Sequence, residues 1–208
     1  MNVVPSADPA PEVRPVAARS RLLRAAVEAF AAKGFNATTT RDIANGAQMS
    51  SAAVYVHFRS KEELLFEISD AGHRSILATI DEADDPAAPP SERLRACVHA
   101  FTAHHARDHV WGRVVNYELN ALAADHLDTV MSMRREITHR IRAIIDAGIA
   151  HAEFDVADSL ATTNAVLSMG IDVARWYRDG SSLSPEEMGD FYAELATRMV
   201  GWRPPVAE

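Results

Sequence analysis

From Val16 onward, apolar side chains recur at intervals of three and four residues with few interruptions, and strand-type alternation is absent. The pattern predicts an all-α protein. Leu22, Leu23, Ala26, Val27 and Phe30 form one stripe, and Gly34 supplies the stop. Thr39 opens a short helix that reaches Ala47, with Asp42 placed to reciprocate its cap. A second short helix follows Ser50. Ser60 and Glu63 then form the capping box of a longer helix carrying Leu64, Leu65, Ile68, Ile76, Leu77 and Ile80. The run "DDPAAPPS" (84–91) breaks the periodicity. Beyond it the spacing predicts helices over 91–106, 109–122, 125–150 and 156–179. A last helix has Ser184 as N-cap, Pro185 in its first turn and Glu187 closing the box, which brings the total to about nine.

The two short helices, joined by "GAQM", make a helix-turn-helix pattern. In the second, Val54 and Phe58 are spaced to pack inward, while Ser51, Ala52 and Tyr55 share the opposite face. Small side chains let a helix sit deep in a DNA major groove, which is only ~12 Å wide. Ala52 or Ala53 can touch a thymine methyl group, and the Ser50 and Ser51 hydroxyls suit base edges or phosphates. Tyr55 and His57 are long enough to reach the DNA backbone, where contacts position without reading sequence. Lys61 adds a positive charge at a helix N-terminus that already favours an anion. The plainer alternative is a surface helix pair in which Tyr55 and His57 only cover the core.

Charge changes the picture by its distribution. The net charge is −8, yet residues 1–61 hold eight basic and four acidic side chains (+4), leaving 13 basic and 25 acidic in the remainder (−12). A basic head on an acidic body admits phosphates at one end only. A single cysteine, Cys97, excludes an internal disulfide framework and suits a reducing compartment. No uncharged run approaches the ~20 residues that span a bilayer, so a soluble, cytoplasmic protein with no membrane partner is expected. Pro5, Pro9, Pro11 and Pro15 give residues 1–15 the composition of a mobile, disordered tail.

The stretch "TTTRDIANGAQMSSAAVYVHFRSKEEL" resembles the DNA-binding signature of TetR-family transcriptional regulators. Thr39, Ile43, Ala44, Ala47, Ser50, Tyr55, His57, Phe58, Ser60, Lys61 and Leu64 match it in register. The resemblance implies a DNA-binding head over 16–65 and an effector-binding and dimerisation body over 66–208. It implies phosphate contacts for Thr39, Thr40, Tyr55, His57 and Lys61, base contacts for Ser51 to Ala53, and a guanine contact for Arg41. One departure stands out. The family's turn usually has Gly where this chain has Gln48, and a non-Gly residue at positive φ costs roughly 1–2 kcal/mol, so a differently shaped turn is expected.

In the body, Met188, Tyr192, Leu195, Met199 and Trp202 form a seam at alternating spacings of four and three. Leu160, Asn164, Leu167, Ile171 and Ala174 offer the same alternation on the preceding helix. The resemblance implies that these helices pair into a homodimer on a near-palindromic operator; the alternative is that both stripes are intramolecular core. The resemblance also implies an effector pocket, for which His99, His105, Trp111, Tyr117, Met131 and Trp176 are candidates. Arg134 interrupts the apolar stripe between Val130 and Ile137, either paired with a carboxylate such as Glu118 or as an anion receptor. The segment "WYRDGSSLSPEEMGDFYAELATRMVG" is similar to the tail of family members that control fatty-acid and sterol catabolism, which implies an acyl-CoA thioester or another apolar anion as effector. No cofactor is expected. Two rival readings are a metal or redox sensor using His104, His105, His109 and Cys97, and an all-α di-iron enzyme. The second has only one Glu-x-x-His, Glu136 and His139, where two copies are needed.

Overall fold

The computed structural model describes residues 13–202, with side chains from residue 17 onward. Among these residues it contains nine α-helices, one 3₁₀ turn and no strand. The helices are α1 (Val13–Lys33), α2 (Thr40–Gly46), α3 (Ser51–His57), α4 (Lys61–Ala83), α5 (Pro90–Arg107), α6 (His109–Tyr117), α7 (Ala124–Ala150), α8 (Ser159–Trp176) and α9 (Pro185–Met199). The short turn Leu119–Ala121 follows α6, where the sequence predicts one helix through residue 122. Most of the expected tail lies outside the described residues, but α1 begins at Val13 rather than Val16. Pro15 is tolerated there because an N–H in the first helical turn has no intrahelical acceptor.

Local chemistry sets most boundaries. Gly34 ends α1 at φ +78, and Thr39 and Ser184 make full capping boxes with Asp42 and Glu187. Ser60 caps α4 by accepting from the Glu63 N–H, but the Glu63 carboxylate turns to the Arg59 N–H instead of closing the expected box. Asp158 caps α8, which starts at Ser159, three residues later than the apolar spacing suggested. The turn between α2 and α3 keeps the left-handed residue that a glycine would supply, with Gln48 itself at φ +56. The expectation of a differently shaped turn is therefore corrected: the chain accepts the strain, and the Ala47 and Met49 N–H groups bond the Ile43 and Ala44 carbonyls across it.

Two apolar clusters organise the rest. The first joins Leu22, Phe30, Ile43, Val54 and Phe58 of α1 to α3 (with the residue after it) to Leu64 and Ile68 of α4, Val114 and Val115 of α6 and Val130 of α7. The second centres on Ile141, Ile144 and Ile145 of α7, with Ile80, Leu94, Cys97, Phe101, Val166 and Ala196. Helix α9 lies chiefly on α5 and touches α8 at few points. Gly189 permits that approach, since a Cβ there would come within 2.7 Å of the His99 carbonyl oxygen. Of the α9 seam only Met188 is buried, joined on the face toward the chain's own core by Ala193 and Ala196; Tyr192, Leu195 and Trp202 are half-buried and Met199 is exposed.

Candidate nucleic-acid interface and effector cavity

The first two helices of the head are fixed by small polar contacts. The Thr39 backbone N–H donates to the Asp42 carboxylate at 2.9 Å, and the Asp42 N–H returns a bond to the Thr39 hydroxyl at 3.1 Å. The Thr39 hydroxyl and backbone, followed by Lys33 at 3.3 Å, hold the Asp42 carboxyl down at about 2. The Thr39 hydroxyl thus caps the helix by accepting the Asp42 N–H, and gives its own proton to the Asp42 carboxylate at 2.7 Å. Thr40 is placed differently, its hydroxyl 3.3 Å from the Tyr55 hydroxyl, which ties α2 to α3.

Val54 and Phe58 are buried at 1% exposure each, as the spacing predicts, and Ser50 caps α3 by accepting the Ala53 N–H at 3.2 Å. The outer face carries Ser51, Ala52 and, half-buried, Ala53 and His57. Tyr55 stands out at 58% exposure and Val56 at 78%. Val56 was not singled out by sequence reasoning; a lone valine two residues from buried Val54 and Phe58 gives no signal of its own. Arg41, with Arg21 and Arg24 of α1 and Arg59, is exposed and forms no ion pair with a described carboxylate. Lys61 is engaged within the head itself. Its ammonium donates to the Phe35 and Thr38 carbonyls, both at 2.7 Å, and lies 4.1 Å from the Phe35 ring centroid. Two of its three protons bind the loop between α1 and α2.

Helices α4 to α8 line a cavity of about 130 Å³ that is open to solvent on one side. Its apolar wall includes Ile76, Phe101, Val115, Ile137, Leu167 and Ile171, and its polar lining includes His73, His105, Asn116, Arg134, Thr138, Asn164 and Ser168. Arg134 pairs with no described carboxylate, which removes the expected Glu118 partner. Its Nη1 instead donates to the Asn116 amide oxygen at 3.0 Å and reaches the His73 Nε2 at 3.4 Å. Burial alone lowers its guanidinium pKa. His73 and His105 are 3% and 5% exposed; burial holds both below the ordinary imidazole value, His105 at about 4. Each Nδ1 sits against a backbone carbonyl, of Ser69 at 2.7 Å and Phe101 at 2.8 Å. In a neutral imidazole that contact places the proton on Nδ1 and the lone pair on Nε2.

Of the candidate pocket residues, then, the cavity brings together His105 and Arg134. His99 bonds Asp190 at 3.0 Å between α5 and α9, and the Trp111 indole N–H bonds the Ile68 carbonyl at 3.1 Å from an adjoining cleft. Tyr117, Met131 and Trp176 are 48%, 36% and 44% exposed and do not line it. Conversely, Asn164, Leu167 and Ile171, expected at a dimer interface, do line it. His73, Asn116, Thr138 and Ser168 are lining residues that sequence reasoning missed. Only His73 left a signal, as a polar residue on the buried stripe of α4 between Ile68 and Ile76.

A polar tie joins head to body. One Glu62 oxygen accepts the Ala123 N–H at 2.8 Å, and His126 Nδ1 lies 2.8 and 3.1 Å from the two carboxylate oxygens. The His126 ring stacks on Phe66 at 3.8 Å, and the Glu62 bond raises its pKa. The residues of the two rival readings do not converge. Among the described residues no group of three His, Cys, Asp or Glu side chains is placed to hold a metal ion. Burial pushes the Cys97 thiol up to about 12, and Glu136 pairs with Arg140 at 2.9 Å. Among the described residues, no helix is long and apolar enough to cross a membrane.

Comparison with known proteins agrees with this geometry. The sequence profile "Bacterial regulatory proteins, tetR family" matches residues 22–68, and "Tetracyclin repressor-like, C-terminal domain" matches 87–200. The repressor KstR2 of Mycolicibacterium smegmatis is 30% identical over 187 residues, covering 88% of this chain and 90% of that protein. KstR2 of Mycobacterium tuberculosis is 31% identical over 186 residues, covering 85% and 90%. A solved tetR-family regulatory protein from Rhodococcus RHA1 superposes with a TM-score of 0.86 at 42% identity, covering 90% of this chain and 98% of that one. These relatives are regulators of transcription rather than enzymes. The chain belongs to the TetR family of bacterial transcriptional regulators.

Proposed function

We propose that this chain is an effector-released repressor that binds a near-palindromic operator as a homodimer in the cytoplasm. The observation that carries this reading is the course of α4. Its 23 residues form a rod of about 35 Å that begins at the reading head and lines the cavity with Gly72, His73 and Ile76. A ligand that prefers one position of α4 therefore shifts the population of head positions, and DNA affinity with it. KstR2 is named a repressor, and the M. tuberculosis protein a ketosteroid transcriptional regulator. AibR, similar in fold alone at 19% identity and a TM-score of 0.79, has been solved with isovaleryl coenzyme A and operator DNA. These support a small-molecule effector with an apolar part, acyl-CoA thioesters included.

On the DNA side, Thr40, Arg41, Ser51, Ala52, Ala53, Tyr55 and His57 form the contact face, and Val56 joins them as an apolar group for a thymine methyl. Thr39, Ser50 and Lys61 hold the head's own backbone. The dimer face draws on both earlier sets. Leu160, Trp176, Phe191 and Met199 are 41%, 44%, 54% and 38% exposed on α8 and α9, too many large apolar side chains to leave in water. Tyr192 and Leu195 are half-buried beside them, while Leu167 and Met188 support the face from within the protomer.

The test is fluorescence anisotropy of labelled DNA from the gene's own upstream region, at two salt concentrations, with light scattering of the free protein. Sequence-selective, salt-sensitive binding of a two-chain unit is expected, since phosphate contacts release counterions. Binding indifferent to sequence, or a monomeric protein at micromolar concentration, would refute the proposal.

A further inference from the structure

The polar end of the cavity has a charge problem that narrows the effector's chemistry. Arg134 carries a half-buried positive charge whose described neighbours are neutral: the Asn116 amide, two imidazoles held uncharged by burial, and the hydroxyls of Thr138 and Ser168. A guanidinium has five N–H donors, and the two contacts described for Arg134 both fall on Nη1. The Nε–Nη2 edge donates to no described group. That edge presents two parallel N–H bonds, the geometry a carboxylate accepts in bidentate fashion. Asn116 and His73 hold the Nη1 side, so the fork is oriented before a ligand arrives.

Size gives the second limit. An engineered apolar cavity of ~150 Å³ binds benzene, and this one, open to solvent on one side, is about 130 Å³. Four fused rings exceed its enclosed part and would have to project through the open side. A thioester carbonyl carries no charge, and the anionic groups of coenzyme A lie at the far end of a long arm. An acyl-CoA would therefore leave Arg134 uncompensated.

We propose that the effector is a compact carboxylate, about the size of benzoate, whose oxygens take the Nε–Nη2 edge of Arg134. Its apolar part fills the space between Ile76, Phe101, Ile137 and Leu167. This rests on the effector-responsive reading above, and it separates the chain from relatives named for ketosteroids.

The experiment is isothermal titration of the full chain with benzoate, cyclohexanecarboxylate, benzamide and butyryl-CoA, followed by the operator anisotropy assay. Both carboxylates are expected to bind, and benzamide, the same shape without the charge, at least about tenfold more weakly. Arg134→Gln is expected to abolish the preference for benzoate over benzamide. Equal binding of benzamide and benzoate by the unaltered chain overturns the proposal without reliance on any variant. So does butyryl-CoA binding where the carboxylates give no heat at millimolar concentration. Arg134-dependent benzoate binding that leaves the operator complex intact upholds the carboxylate receptor and refutes effector release.

Discussion

Glu62→Gln separates the charge of the head-to-body tie from its hydrogen bonding. The amide oxygen of Gln can still accept the Ala123 N–H; what disappears is the attraction to protonated His126. Hydrogen bonds to charged groups contribute about 1.5–3 kcal/mol when well shielded, and exposed ion pairs about 0–1. With the two side chains 29% and 24% exposed, the charge-dependent part comes to about 1 kcal/mol. Glu62 also stands in the first turn of α4, where losing a negative charge costs about 0.5 kcal/mol more, independent of pH above its own titration. The His126 pKa is raised in the folded state by Glu62, so its contribution is fully present below the unfolded value of 6.5 and fades as pH rises through the folded value. Thermal unfolding should therefore place Glu62→Gln about 1.5 kcal/mol below the parent near pH 6, roughly 3–6 °C in Tm, and about 0.5 kcal/mol below it near pH 8.5. His126→Gln should flatten the difference. A gap of the same size at both pH values would refute a charged His126 and leave the tie as a neutral hydrogen bond.

Tyr55→Phe should weaken binding to all DNA sequences alike, whereas Arg41→Ala should relax discrimination at one base pair by about 1–3 kcal/mol; competition anisotropy with single-base operator variants separates the two. Lys61→Ala should lower Tm through the lost Phe35 and Thr38 carbonyl bonds yet leave the salt slope of DNA binding unchanged, and a slope reduced by about one would restore its phosphate role. Gln48→Gly should raise stability by about 1 kcal/mol by removing the left-handed strain, and a melt showing a loss would refute it. The Cys97 thiol, buried and pushed up to about 12, should resist a thiol reagent at pH 8 until the protein is unfolded; fast labelling of the native chain would contradict its burial.

Helices and caps were legible because their determinants are local. Thr39 with Asp42, Ser184 with Glu187, and Gly34 each act within a few residues, and the structure uses each as its sequence neighbourhood suggests. The reading helix was legible for a related reason, since burial of Val54 and Phe58 dictates which face remains outside. The cavity was not, because its members come from five helices and share no spacing. An apolar stripe shows that a residue faces something, without saying whether that is the protomer's core, a cavity or a second subunit. Hence Asn164 and Ile171, expected at the interface, also line the cavity, and Trp176, expected in the pocket, lies on the exposed surface. The intramolecular bonds of Lys61 were not legible for another reason: its acceptors, the Phe35 and Thr38 carbonyls, lie more than twenty residues away.

The apolar cluster that runs from Leu22 and Phe58 through to Val114, Val115 and Val130 bears on how such regulators can be rebuilt. A cut after residue 65 would strip the head of the α6 and α7 side chains that complete its core, and the excised piece should aggregate rather than fold. A hybrid repressor made by grafting a foreign head at that boundary would inherit mismatched surfaces on both sides of the seam. The transplantable unit here is the head together with its share of α4, α6 and the start of α7, so changing operator specificity is better done by substitution on the outer face of α3 than by exchange of modules.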